Sequence, residues 1–221
     1  VREVLAEQAR YYAARAPEYD DWWFRRGRYA FEPGEQARWD ADVAEAEKAL
    51  ADFGATGSVL ELAAGTGLWT RQLARTASRL VAVDASEETL AVNRRRVDRD
   101  VEHVVADVFA WESPERFDLV FFSFWLSHVP AERFDGFWRT VRCALAPGGR
   151  VFLVDSGGVD PAQRDPGRGE LQERTLSDGR TFTIVKRYWE PDELAERVRP
   201  LGLELDLRAT ANGLFLVGGG S

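Results

Sequence analysis

Apolar positions recur at helical spacing in the first quarter of the chain, fall into short valine-rich runs through the middle, and end in turn-punctuated runs. Residues 3–16 read as a short helix stopped by Pro17, and 17–33 as a loop dense in rings and charge. Over 34–53 the positions Trp39, Val43, Ala46 and Leu50 share one helical face, closed by Gly54 and Gly57. Strands are then expected at 59–62, 80–83, 102–106, 118–123 and 150–155, and helices at 70–77, 87–96 and 131–145. Strands so apolar belong to a parallel sheet covered by helices on both faces. Right-handed crossovers would make it doubly wound. Beyond Asp155 a Pro/Gly-rich loop occupies 157–169, and runs at 171–176 and 180–189 flank Ser177-Asp178-Gly179, a hairpin signal. Pro191 opens a helix reaching about 200, and strands at 203–210 and 214–217 flank Asn212-Gly213. The pattern predicts an α/β chain with a mostly parallel seven-stranded sheet whose last strand is antiparallel. Residues 1–217 form one domain, with 1–53 an N-terminal helical lid, 157–190 an inserted loop and hairpin, and 218–221 a glycine-rich tail outside the fold.

Composition narrows the chemistry. Apolar residues are 45% of the 221, enough for a core, and charged residues at 30% argue against disorder. Acidic residues outnumber basic ones 37 to 29, a net charge of −8 that disfavours nucleic acid and anionic membrane as partners. A small anionic acceptor in a local basic pocket stays compatible with it, and a homodimer stays open. One cysteine, Cys143, and two histidines, His103 and His128, leave no disulfide and no cysteine- or histidine-rich metal centre to expect. No apolar run reaches the ~18 residues of a membrane span. The first residues show no secretory leader, so a cytoplasmic location is expected.

The sharpest motif is Val59-Leu60-Glu61-Leu62-Ala63-Ala64-Gly65-Thr66-Gly67, a strand running into a glycine turn and then a helix. Such a turn lets a ligand approach backbone at the carboxyl end of a parallel sheet. Asp84 ends the next strand, where a carboxylate accepts from two ribose hydroxyls, and Asp107 ends the one after, placed for an adenine amine with Phe109 beside the ring. Each is otherwise a turn residue of an ordinary α/β sheet, but all three fall at one sheet edge. Thr70 stands where a dinucleotide site needs glycine or alanine, Leu68-Trp69 crowd the helix start, and Glu61 repels phosphate. A phosphate-free nucleoside carrying an ammonium fits better, and S-adenosylmethionine has that description.

These residues resemble the first motif, ribose acid and adenine acid of class I S-adenosylmethionine-dependent methyltransferases, and 145–150 (Leu-Ala-Pro-Gly-Gly-Arg) is similar to the family's turn into the fifth strand. Ala63 departs from it, standing where glycine is usual. The resemblance implies a Rossmann-like fold, S-adenosylmethionine as cofactor, and contacts to it from Tyr11, Tyr12, Glu61, Ala63, Gly65, Gly67, Asp84, Ala85, Ala106, Asp107, Val108 and Phe124. It also puts the acceptor at the end of the fourth strand, beside Trp125 and His128. His128 then serves as general base or orients an acceptor already anionic, unless it only caps a loop. Tyr19 joins it as a catalytic candidate, its oxygen steadying the sulfonium methyl, or else packs the N-terminal segment on the core.

The hairpin carries the substrate argument. With Ser177-Asp178-Gly179 as a three-residue loop and Gly179 left-handed, Arg174 pairs opposite Phe182, and Arg174, Phe182, Ile184 and Lys186 share a face. A two-residue loop would separate Arg174 from Lys186, and an edge hairpin can equally carry solvated charges. The segments 11–20, 121–130 with 133–138, and 174–186 resemble bacterial phosphonate O-methyltransferases, which implies that Arg174 and Lys186 hold a phosphonate. The loop 22–33 departs from them in length and arginine content, so Arg25, Arg26 or Arg28 is expected to add to the anion site, or the pocket to fit a different acid. The expected activity is methyl transfer to an oxygen of a phosphonate or carboxylate. The alternatives are N- or O-methylation of a neutral metabolite with His128 as base, and a binding protein that has lost catalysis.

Overall fold

The computed structural model describes residues 2–158 and 170–221. Helix α1 (Arg2–Arg15) leads through a 3₁₀ turn (Ala16–Glu18) into α2 (Tyr19–Trp23), another 3₁₀ turn (Gly27–Tyr29) and α3 (Pro33–Phe53). Pro33 opens α3 with its ring-fixed φ, and Gly54 closes it at φ 78°. The expected loop 17–33 is therefore partly helical: aromatic rings pack its turns onto the core rather than leaving them extended.

Seven strands form the main sheet: β1 (Gly57–Leu62), β2 (Ala77–Asp84), β3 (Glu102–Val105), β4 (Phe117–Ser123), β5 (Leu145–Ser156), and, after the hairpin, β8 (Leu205–Ala209) and β9 (Phe215–Gly220). Their order is β3-β2-β1-β4-β5-β9-β8, and only β9 runs antiparallel to its neighbours. The connections carry α4 (Thr70–Leu73), α5 (Glu87–Arg96), α6 (Ala131–Ala144) and α7 (Pro191–Val198). In α5, Ser86 Oγ accepts from the Thr89 amide at 3.1 Å, acids fill the first turn and arginines the last, each favourable to the helix dipole. The helix expected over 70–77 stops at Leu73, because Ala77 already pairs with Gly57 in the sheet.

The tail expected at 218–221 is instead structural. Gly218, Gly219 and Gly220 pair with both β5 and β8. A Cβ on Gly219 would lie 2.1 Å from the Val151 carbonyl oxygen, so side chains are excluded and no alternation marks the strand in the sequence.

Side-chain alternation splits the core into two layers. Leu60, Leu62, Val120, Phe122, Val151 and Leu153 pack on Phe134, Phe137 and Trp138 of α6 and Leu194 of α7. Val59, Leu119, Phe121, Phe152 and Val154 face Trp39, Ala46 and Leu50 of α3. Asp42 of α3 accepts from Thr210 Oγ1 (2.6 Å), the Asn212 side chain (2.7 Å) and the Leu214 amide (3.0 Å), pinning the β8–β9 turn.

The hairpin β6 (Leu171–Thr175) and β7 (Thr181–Val185) stands apart as its own sheet, with Arg174 opposite Phe182 and Gly179 at φ 86°. The three-residue loop is the one expected, since Leu176 and Arg180 still bond across it at 2.9 Å. Helix α1 lies along β7, where Glu7 accepts from the Thr183 amide (2.7 Å) and Gln8 from the Val185 amide (2.9 Å). Of the loop expected at 157–169, residues 159–169 lie outside the described residues. No helix among the described residues is long and apolar enough to cross a membrane.

Candidate active site

The glycine turn after β1 holds three left-handed residues, Ala63 (φ 53°), Gly65 (φ 58°) and Gly67 (φ 89°). The two glycines differ in purpose. A Cβ on Gly65 would meet nothing closer than the Ala63 carbonyl at 4.0 Å, so this glycine keeps backbone open toward a ligand. A Cβ on Gly67 would strike Asn93 at 2.8 Å, so this glycine admits α5 instead. Asn93 uses the space to donate to Thr70 Oγ1 (2.8 Å) and to the Gly65 carbonyl (3.3 Å), and its oxygen meets the His103 ring at 3.0 Å. His103 is thereby a packing residue.

Asp84, at the end of β2, accepts from the Gly65 amide (2.9 Å) and the Ser86 amide (3.0 Å), which fixes both carboxylate oxygens at the turn. Burial raises its pKa, and these backbone donors oppose the rise. Asp107 accepts from the Phe109 amide at 2.9 Å. Between these acids and α1 lies a cavity of about 630 Å³. Tyr12, Ala63, Gly65, Asp84, Ala85, Asp107, Val108 and Phe124 line it as expected. Tyr11, Glu61, Gly67 and Ala106 do not.

Trp125 also belongs to this cavity, beside Phe109 at 5.2 Å between ring centroids, and not to the acceptor side where it was expected. It follows Phe124, whose φ of 49° turns the chain, so the ring swings toward the Asp107 loop. Glu61 faces the α3 layer, 1% exposed, with both carboxylate oxygens unpartnered among the described residues. Burial, countered by Thr70 and reinforced by Asp84, pushes its pKa up to about 8.

A second cavity, about 1050 Å³, opens between the hairpin and the N-terminal segment. Tyr12, Tyr19 and Phe124 line both cavities and form their common wall. Tyr11 joins the second one. His128, Arg174 and Lys186 converge there as the hairpin register requires.

His128 Nδ1 meets the Val185 carbonyl at 2.6 Å, so Nδ1 carries the proton and Nε2 keeps its lone pair. Burial first, then the Lys186 charge, hold its pKa well below 6.5, and the ring is neutral. Lys186 is 8% exposed and donates to Ser127 Oγ (2.9 Å) and Ser156 Oγ (2.7 Å). Burial brings it down to about 8, opposed by Asp155 and reinforced by Arg174 and Arg15. Tyr19 is pushed by burial to about 12, with Arg15 pulling the other way, so it keeps its hydroxyl proton.

The arginines divide differently from expectation. Arg26 is exposed, over Phe24 at 4.7 Å, and lines neither cavity. Left-handed Arg25 and Gly27 reverse the chain on either side of it and aim it outward. Arg25 and Arg28 line the hairpin cavity instead. Arg15, absent from the expected set, lines it too, its guanidinium within 5.1–5.5 Å of the Tyr11, Tyr19 and Trp22 rings. Its position in the last turn of α1, four residues after Tyr11, was the available signal. Asp20 binds Arg96 and accepts from Thr66 Oγ1 at 3.2 Å, tying the N-terminal segment to the glycine turn. No group of metal-ligating side chains occurs among the described residues.

Comparison with known proteins agrees with this geometry. A family model described as a methyltransferase domain matches residues 59–149. The cypemycin N-terminal methyltransferase of a Streptomyces species is 35% identical over 132 residues, which are 58% of this chain and 52% of that protein. The demethylmenaquinone methyltransferase of Clavibacter sepedonicus is 40% identical over 104 residues, 44% of this chain and 40% of that one. This chain thus spans about half the length of these curated relatives. The solved DhpI–SAM–HEP complex superposes with a TM-score of 0.82 at 38% identity, covering 99% of this chain and 97% of the other.

Proposed function

This chain belongs to the S-adenosylmethionine-dependent methyltransferases, and from that premise we propose that it transfers a methyl group to an oxygen of a small anionic acceptor, a phosphonate or a carboxylate. One observation carries the reading. The cavity that shares a wall with the glycine-turn cavity is lined by buried Lys186 and half-buried Arg15 and Arg174, none of which has a carboxylate partner among the described residues. Unpaired buried cations are costly, and an anionic ligand offsets that cost.

Eight of the twelve residues expected at the cofactor line one cavity, which supports the cofactor reading. Asp84 offers acceptors to ribose hydroxyls and Asp107 to an exocyclic amine, with Phe109 and Trp125 as apolar walls. The bound cofactor supplies an electron-poor methyl group on sulfur. Tyr12, Tyr19 and Phe124 would exclude water between the two cavities, and the hairpin cations would hold an anionic acceptor beside that wall. An acid acceptor is already deprotonated near neutral pH. One oxygen lone pair forms the new bond as the methyl–sulfur bond breaks, and no proton has to be removed. Neutral His128 then positions the acceptor through Nε2. That same free lone pair favours a second reading, in which His128 takes a proton from a phenol or an amine. The cypemycin relative is named an N-terminal methyltransferase, and the DhpI complex holds HEP as well as SAM.

Release of adenosylhomocysteine from a panel of alkylphosphonates, carboxylic acids, phenols and amines decides between them. Acids are expected to turn over. Lys186 is charged below its pKa of about 8 and loses that charge above it. A carboxylate stays ionised across this range, so its KM should climb as pH passes about 8, and Lys186→Arg should move the rise to higher pH. Turnover of phenols or amines alone would exclude the anionic reading.

A further inference from the structure

The acceptor cavity holds a cation that the reaction does not use. Arg25 lines it with its guanidinium 3.5 Å from the Trp39 ring centroid, 4.4 Å from Phe31 and 5.0 Å from Trp22. Its side chain makes no ion pair and no hydrogen bond with any described residue, and its Nε is buried and unpartnered. Its backbone sits at φ 52°, a conformation that is strained for a non-glycine residue and persists only where surrounding structure enforces it. The enforcing structure is the three-ring cage. Strain, an aromatic brace and unspent donors in one residue are those of a ligand-binding arginine, because a brace alone would not need a guanidinium facing a cavity.

Arg15 and Arg25 both approach Trp22, each about 5 Å from its centroid, and both line the cavity that holds the hairpin cations. At about 1050 Å³ the cavity far exceeds the volume of a single acid group. We propose that the acceptor carries two acidic groups, one presented for methylation at Arg174, Lys186 and His128, and a second bound by the Arg25 guanidinium inside the Trp22–Phe31–Trp39 cage. This names the substrate class within the anionic-acceptor reading and rests on it. Arg25 is then a specificity residue: it selects acceptors long enough to reach the cage.

The test compares matched probes on the full chain loaded with adenosylhomocysteine. Calorimetry with 3-phosphonopropionate, phosphonoacetate and longer homologues is set against propylphosphonate, which has one acid. A charge-assisted pair predicts that the best diacid binds about 10- to 100-fold more tightly than the monoacid. Arg25→Gln should collapse that ratio to about one, and Arg25→Lys should restore part of it. The same ratio is then read as kcat/KM. A purely structural Arg25 would weaken both probes together and leave the ratio unchanged, which overturns the proposal, as does equal binding of diacid and monoacid by the unaltered protein. Failure of methyl transfer to every acid would sink the proposed activity while the calorimetric ratio still reports on Arg25.

Discussion

Glu61 is the residue whose chemistry is most at odds with its surroundings. It is a carboxylate on a core strand, with no donor to either oxygen and a pKa pushed to about 8 by burial. Unfolded, it ionises near 4.5. Below that pH both states hold the proton and the residue costs the fold nothing electrostatically. As pH rises toward about 8 the folded state keeps a proton that the unfolded state has shed, and stability falls by on the order of 3 kcal/mol by neutral pH. Glu61→Gln should therefore raise the melting temperature of the cofactor-free protein at pH 7 and leave it unchanged near pH 4.5. The gain should stay below that figure, since an amide is also costly to bury. A lower melting temperature at pH 7 would remove this account. Asp84, Asp107 and Gly65 were legible at this scale because each ends a strand, and strand ends can be read from apolar runs. Arg15, the purpose of Gly67 and the choice among Arg25, Arg26 and Arg28 were not. Their roles depend on which ring or helix lies opposite, and spacing along one segment carries no such information.

Among the elements, α1 does more than close over a cavity. Gln8 is 3% exposed and serves two segments at once, donating to the His128 carbonyl (3.0 Å) and accepting from the Val185 amide (2.9 Å). The same Val185 presents its carbonyl to His128 Nδ1. One amide side chain thus registers α1, the turn carrying His128 and β7 against each other. Gln8→Ala leaves a buried donor and a buried acceptor unpaired, at on the order of 2 kcal/mol or more of stability, measurable by urea denaturation. It should also raise the acceptor KM more than it lowers kcat for cofactor-saturated enzyme, since the hairpin cations lose their reference to His128. A change under about 0.5 kcal/mol would show that packing alone sets the register. The hairpin register itself was legible, because Gly179 selects the loop length and alternation does the rest. Strand β9 was legible only as far as Val217. Its last three residues are glycines that fit because they lack side chains, and a period of two needs side chains to be seen.

At the scale of the whole molecule the charge is arranged in two ranges. The chain carries −8 overall, a field that repels an anionic acceptor at a distance. Along the cavity Arg187 is paired to Glu170 (3.2 Å) and Glu193 (2.9 Å), while buried Lys186 and half-buried Arg15, Arg174 and Arg25 have no carboxylate partners among the described residues. Salt acts unequally on these ranges. The Debye length is about 10 Å at 0.1 M, so added salt quiets the outer repulsion and leaves the enclosed contacts largely intact. Association of an acid acceptor should therefore tolerate salt. From roughly 10 mM to 200 mM, kcat/KM for a dicarboxylate or phosphonocarboxylate should hold steady or rise by about twofold. An open basic cleft attracting anions from afar predicts the reverse, a steep fall over the same interval. Salt-dependent kinetics with an inert counterion thus separate an acceptor drawn by long-range attraction from one held only once it has entered, and a steep fall would show that the cations act outward rather than inside the cavity.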